Sequence, residues 1–175
     1  MKRIVIIGAG GHAKVIAETI DLLDNLQVVG FIDDRIEKGT PVYKDIPVIG
    51  AGNEIPQILE ECDALVIGIG NNEVRKQLAE RIKAKSFEII IHPRAVVSKT
   101  AVIEPGTVVL AGAVISSNAR VAAHCIVNSH VVIDHDSNIG TFVHLSIGTL
   151  VGSNSKISEL TTTQIGQSVP SFSTI

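Results

Sequence analysis

Residues 91–157 read IHPRAV VSKTAV IEPGTV VLAGAV ISSNAR VAAHCI VNSHVV IDHDSN IGTFVH LSIGTL VGSNSK I, and every block opens on an aliphatic residue. The series is Ile91, Val97, Ile103, Val109, Ile115, Val121, Val127, Ile133, Ile139, Leu145, Val151 and Ile157. Two residues ahead of most beats the side chain is small: Ala95, Ala101, Thr107, Ala113, Ala119, Cys125, Ser137, Thr149 and Ser155, with Val131 and Val143 bulkier. A period of six fits neither the helix period of 3.6 nor the strand period of 2. It predicts a hexapeptide parallel β-helix, in which each six residues form one short flat face and a corner. Three faces close an 18-residue coil, so residues 91–157 amount to nearly four coils.

After Ile157 the beat falls on Thr163, and Ile165-Gly166 restarts the pattern two residues late. This predicts a small insertion and C-terminal coils that are shortened, in a fold whose last coil needs a cap.

Ahead of residue 91 the rhythm differs. Arg3 to Ile7 is an apolar run ending in Gly8, as in a buried parallel strand. Residues 12–24 read as a helix with Val15, Ile16, Ile20 and Leu23 on one face. Further strands are predicted over 27–32, near Val48, over 64–69 and over 87–91, with helices over 55–61 and 73–84. Alternating strands and helices imply a parallel sheet with helices on its faces. The boundary falls near His92-Pro93, dividing an α/β domain over residues 1–90 from a β-helix over 91–175.

An apolar fraction of 45% against 19% charged residues excludes a disordered chain. Aromatics at 3% suit a narrow solenoid interior, and a net charge of -3 argues against nucleic acid and anionic membranes as partners. The uncharged stretch Pro105 to Ala119 is too short to span a bilayer, and no secretory signal is evident. Cys62 and Cys125, sparse and far apart, read as reduced core thiols in a cytoplasmic protein.

Gly8, Gly10 and Ala13 satisfy the G-x-G-x-x-G/A fingerprint between a predicted strand and a helix. Glycines let backbone approach a phosphate, and a helix N-terminus supplies free N–H groups and partial positive charge. Asp33 and Asp34 close the next strand, where an acidic residue often holds a ribose, and Gly68-Ile69-Gly70-Asn71-Asn72 closes the third. Three strand ends converge on one crevice. A tight turn alone would also need glycine, but the three features agree on a ligand. Half of a full dinucleotide fold favours a mononucleotide or nucleotide sugar over NAD, and no catalytic domain of an oxidoreductase follows.

In Asp134-His135-Asp136 one imidazole stands between two carboxylates, which suits a general base. His144 lies nine residues on, half a coil away, so the two histidines point in roughly opposite directions on one subunit. They meet only across an interface between chains. His124 and His130, six apart, sit on adjacent faces, and no spacing suits a metal.

The GAGGHAK loop, the FIDD strand end, GIGNNEVR, the IHPRAVVS junction and DHD…FVHLSIG occur in one order over residues 2 to about 157. Together they resemble the sugar acyltransferases of PglD and NeuD type, which include UDP-4-amino-sugar N-acetyltransferases and sialic acid O-acetyltransferases. The resemblance implies a half-Rossmann-like domain followed by a left-handed β-helix, assembled as a homotrimer that uses acetyl-CoA at clefts between subunits. It implies His135 as general base with Asp136 orienting it, and His144 and Gly152 at the acetyl-CoA. Gly10, Gly11 and His12 would hold the nucleotide, Asp33 and Asp34 its uridine, with Gly70 and Asn71 lining the same pocket. No cation follows Lys156 to meet a CoA 3′-phosphate. A sugar O-acetyltransferase and a nucleotide-sugar-binding trimer with little catalysis are the alternatives.

Overall fold

The two rhythms become two compact units, Met1–Glu88 and Ile89–Ile175, in a computed structural model that describes residues 1–82 and 86–175. The first unit runs β1 (Lys2–Ile7), α1 (Gly11–Asp21), β2 (Leu26–Ile32), β3 (Pro41–Tyr43), β4 (Ile46–Gly50), α2 (Ile55–Ile58), β5 (Ala64–Ile67) and α3 (Asn72–Arg81). Its sheet has the order β3-β4-β2-β1-β5. All neighbours are parallel except β3, which is antiparallel to β4. Ile4–Ile7 and Ala64–Ile67 are buried throughout, as strands covered on both faces must be.

β1 lies between β2 and β5, so the chain leaves β1 toward one side of the sheet and later returns on the other. Where connections diverge in this way, a crevice opens at the carboxyl ends of the strands.

Several sequence expectations shift. Helix α1 buries Ala13, Ile16, Ala17 and Ile20, whereas Val15 is exposed and Leu23 lies past the helix end. The small alanines win the inner face because the helix packs close to the sheet: a Cβ at Gly68 would come within 2.8 Å of the Ala13 Cβ. The strand expected over 87–91 divides between the units. Phe87 bridges Leu65, while Ile90–Ile91 is the first rung of the solenoid. Residues 83 and 84, the expected end of the third helix, lie outside the described residues.

The second unit is a parallel β-helix of three stacked sheets. One holds β6 (Ile90–Ile91), β9 (Val108–Val109), β12 (Ile126–Val127) and β15 (His144–Leu145). A second holds β7 (Val96–Val97), β10 (Val114–Ile115), β13 (Val132–Ile133), β16 (Leu150–Val151) and β18 (Ser168–Val169). The third holds β8 (Val102–Ile103), β11 (Arg120–Val121), β14 (Asn138–Ile139) and β17 (Lys156–Ile157). Paired residues are eighteen apart, as in Val114 with Val132, Val121 with Ile139 and Val127 with Leu145.

Beats from Val109 to Ile157 are buried, with Ile91, Val97 and Ile103 half-buried at the first coil. The small residues two places ahead are buried with them, and several do more than fit. Thr107, Ser137 and Ser155 each donate a hydroxyl hydrogen bond to the carbonyl fifteen residues on, at Ala122 (2.9 Å), Gly152 (2.9 Å) and Pro170 (2.8 Å). Cys125 fills the same slot with its thiol 3.0 Å from the Gly140 carbonyl, which explains a cysteine in this series. These bonds satisfy corner carbonyls that no strand ladder reaches.

From Gly106 onward each corner carries a left-handed residue. Each sixth position from Gly106 to Phe172 has φ between 56° and 78°. Among them are Asn118, His124, His130, Asp136, Phe142 and Asn154, each costing on the order of 1 kcal/mol relative to glycine. Stacking offsets part of this cost at one corner, where the His124 and Phe142 rings lie parallel with centroids 5.1 Å apart.

The predicted two-residue insertion after Ile157 is absent. Val151 pairs with Val169, His144 with Thr162 and Lys156 with Thr174, all eighteen apart, so the register continues unbroken. Thr163 takes the beat and is buried, its Oγ1 2.7 Å from Thr149 Oγ1 and accepting the Ser146 N–H at 2.8 Å. A polar side chain holds an interior place because its partners are interior too. No helix among the described residues is long and apolar enough to cross a membrane.

Candidate active site

The crevice at the ends of β1, β2 and β5 is a cavity of about 480 Å³. Gly8, with φ +97°, turns the chain out of β1, and a Cβ there would meet Ile69 Cγ1 at 2.9 Å. Gly10 is the extended N-cap of α1 and no side chain caps it, so the first-turn N–H groups open onto the cavity. Gly10 and Gly11 face open space, leaving room for a ligand against backbone.

Gly10, Gly11, His12, Asp33, Asp34 and Gly70 all line this cavity. The acidic pair is engaged with backbone. Asp33 Oδ2 accepts the Ala9 N–H and Oδ1 the Arg35 N–H, both at 2.9 Å, while Asp34 Oδ1 accepts the Gly52 N–H at 2.7 Å. These carboxylates therefore clamp the glycine loop and the 51–54 turn as well as facing the cavity. Asn71 is not in the lining: its Oδ1 accepts the Val74 N–H at 3.0 Å and caps α3.

Residues that the sequence reading missed complete the walls. Val74, Leu78 and Arg81 reach the cavity from one stripe of α3, an i, i+4, i+7 spacing that the sequence does contain. Arg35 follows the acidic pair. Buried Arg75 donates from one guanidinium nitrogen to the Ile69 (3.0 Å) and Gly70 (3.1 Å) carbonyls and from another to Asn72 Oδ1 (2.8 Å), bracing the loop after β5. A second cavity of about 670 Å³ adjoins the first, sharing Asp34, Gly52, Ile55 and Arg81.

On the solenoid, His135 follows β13 at a corner and is half-exposed. Its Nδ1 lies 2.8 Å from Asp136 Oδ2, and its backbone N–H donates to Asp134 Oδ1 at 2.7 Å. The Asp136 hydrogen bond raises the imidazole pKa above its ordinary value, and the Asp134 charge adds to it. Asp136 is held lower than usual by the His135 hydrogen bond and then by one from Asn118. His144 belongs to another sheet, in β15, with Nε2 3.4 Å from Asn128 Nδ2. Gly152 has a structural reason to be glycine: a Cβ there would come within 2.5 Å of the Ser171 backbone nitrogen on the next coil.

The outer face of the sheet carrying β13 is apolar. Val96 (65% exposed), Val114, Val132 and Leu150 (48% exposed) form one row along it. The equivalent row on the neighbouring sheet is Val102, Arg120, Asn138 and Lys156.

Residues 3–82 match the family described as the PglD N-terminal domain. UDP-N-acetylbacillosamine N-acetyltransferase of Bacillus subtilis is 40% identical over 109 residues, 58% of this chain. That alignment spans 48% of the relative, so the chain matches about half the length of this curated protein. The acetyltransferase domain of PglB from Neisseria gonorrhoeae superposes with TM-score 0.74 and 32% identity over 99% of this chain and 88% of the other. The same domain has been solved in complex with acetyl coenzyme A. A point variant of perosamine N-acetyltransferase from Caulobacter crescentus, in complex with CoA and GDP-perosamine, superposes with TM-score 0.82 and 25% identity, covering 98% of this chain and 90% of its own.

Proposed function

Because the chain belongs to the PglD-like sugar acetyltransferases, we propose that it transfers acetyl from acetyl-CoA to the amino group of a UDP-linked 4-amino sugar. The observation that carries this reading is the His135–Asp136 pair, 2.8 Å apart at an exposed corner of the solenoid. Asp136 accepts a hydrogen bond from the Nδ1–H of the neutral ring, which leaves Nε2 as an acceptor toward solvent. His135 is then the general base. As the sugar nitrogen bonds to the thioester carbonyl carbon, Nε2 takes its proton. When the C–S bond breaks, the same proton passes to the CoA sulfur, so the imidazole is regenerated. Backbone N–H groups near the carbonyl stabilise the oxyanion.

The nucleotide lies in the crevice of a Rossmann-like half-domain. Gly10, Gly11 and His12 with the α1 N-terminus face its phosphates, and Asp33, Asp34 and Gly70 line the pocket for the uridine, with Asn71 shaping the loop behind it. The β-helix is left-handed and forms a homotrimer through the apolar row of Val96, Val114, Val132 and Leu150, a patch of the kind that seeks a partner. His135 of one subunit then faces His144 of the next, with Gly152 on the acetyl-CoA side of the cleft. Both co-substrates are intracellular metabolites, which places the reaction in the cytoplasm.

Incubation with acetyl-CoA and a UDP-4-amino sugar, followed by a thiol reagent, tests the reading. Stoichiometric thiol release with formation of the amide supports it. Nucleotide-sugar binding without thiol release would leave a binding protein, and acetylation of hydroxyl-only sugars would turn the reading to O-acetylation.

A further inference from the structure

We propose that Asn118 is a positioning residue that fixes the Asp136 carboxylate and, through it, the tautomer and orientation of His135. The inference rests on the reading of His135 as the base. Asn118 lies one full coil before Asp136, at the same left-handed corner, with φ 58° against 59°. The 18-residue register therefore stacks the two side chains directly. Asn118 Nδ2 donates to Asp136 Oδ1 at 3.2 Å while Oδ2 faces His135 Nδ1 at 2.8 Å. With one oxygen held by each partner, rotation of the carboxylate about its Cβ–Cγ bond would break at least one of these bonds. Without Asn118, a half-exposed carboxylate can turn toward water, and the imidazole can then place its proton on either nitrogen.

Asn118 is itself held. Its backbone N–H donates to Thr100 Oγ1 at 3.0 Å, one coil earlier, and Thr100 Oγ1 lies 3.1 Å from Ser98 Oγ. The carboxylate that orients the base thus rests on a column of corner residues. Asn at this position meets two demands at once, because it tolerates the left-handed backbone and carries a donor of the right reach.

The test uses Asn118→Gly and Asn118→Asp, both compatible with the left-handed corner. Glycine removes the donor, and aspartate sets a second negative oxygen against Asp136. The readouts are the 15N shifts of the His135 ring in the neutral state and the separate kcat and KM values for both substrates. Wild type is expected to hold the proton on Nδ1. Both variants are expected to show mixed tautomers and a kcat lower by about tenfold, the scale of a charge-assisted hydrogen bond, with KM unchanged. An unchanged tautomer and kcat in folded variants would overturn the proposal. A shifted tautomer with unchanged kcat would keep the hold of Asn118 on His135 and overturn the base reading instead.

Discussion

Thr149 and Thr163 share a 2.7 Å hydroxyl contact inside the solenoid, at the beat where the aliphatic series first breaks. Thr163 also accepts the Ser146 N–H, so removing its oxygen leaves an interior donor without a partner. Thr163→Val restores the aliphatic beat yet is expected to destabilise the protein by about 1–3 kcal/mol, the cost of a buried unsatisfied polar group. Urea unfolding measures it. A stabilised variant would mean that the hydroxyl network contributes nothing.

The pH dependence follows from His135. As the proposed base, His135 works unprotonated, and its pKa is raised first by the Asp136 hydrogen bond and then by the Asp134 charge. The acid limb of kcat/KM should therefore lie above the ordinary histidine value of about 6.5. Asp136→Asn removes the larger cause, so the limb should move to lower pH while the rate falls. A limb that stays in place in this variant would assign it to another group.

The proposed assembly through the apolar row makes Leu150 a sensitive position. Leu150→Glu would bury a charge in each interface without touching the solenoid interior, where Val151 points. Sedimentation equilibrium should show a trimer for wild type and smaller species for the variant. A variant that stays trimeric would move the interface elsewhere.

Close packing behind the crevice proposed for the nucleotide gives a fourth test. A Cβ at Gly68 would sit 2.8 Å from Ala13 Cβ and 2.9 Å from Ile6 Cγ2. Gly68→Ala should push α1 away from the sheet, costing about 1–3 kcal/mol in stability and weakening nucleotide-sugar binding. Full stability with full affinity would show that α1 shifts freely.

What the sequence made legible depended on the distance over which each signal acts. The six-residue beat is local and additive, so the solenoid could be read before any motif. The glycine loop and Asp33 were readable because each ends a strand, and strand ends share an edge. The contact of Asp33 with Ala9 was not readable, because it depends on how two loops meet in space. Asn118 stayed hidden for a related reason. Its partner is eighteen residues away, and only the coil pitch brings them together. A threonine at position 163 looks like a break in the core by polarity alone, yet Thr149 and Ser146 supply it with partners in the fold. Arg81 and Leu78 lay in plain view on α3, but the turn of that helix toward the crevice is set by packing.

In the proposed mechanism His135 takes the proton of the attacking sugar amine. Its most direct test is the single-turnover rate of thiol release by His135→Ala, with acetyl-CoA and a UDP-4-amino sugar, at unchanged oligomeric state and circular dichroism. A fall of roughly 10²–10⁴-fold is predicted, the usual contribution of a general base. A rate equal to wild type would remove His135 from the base role.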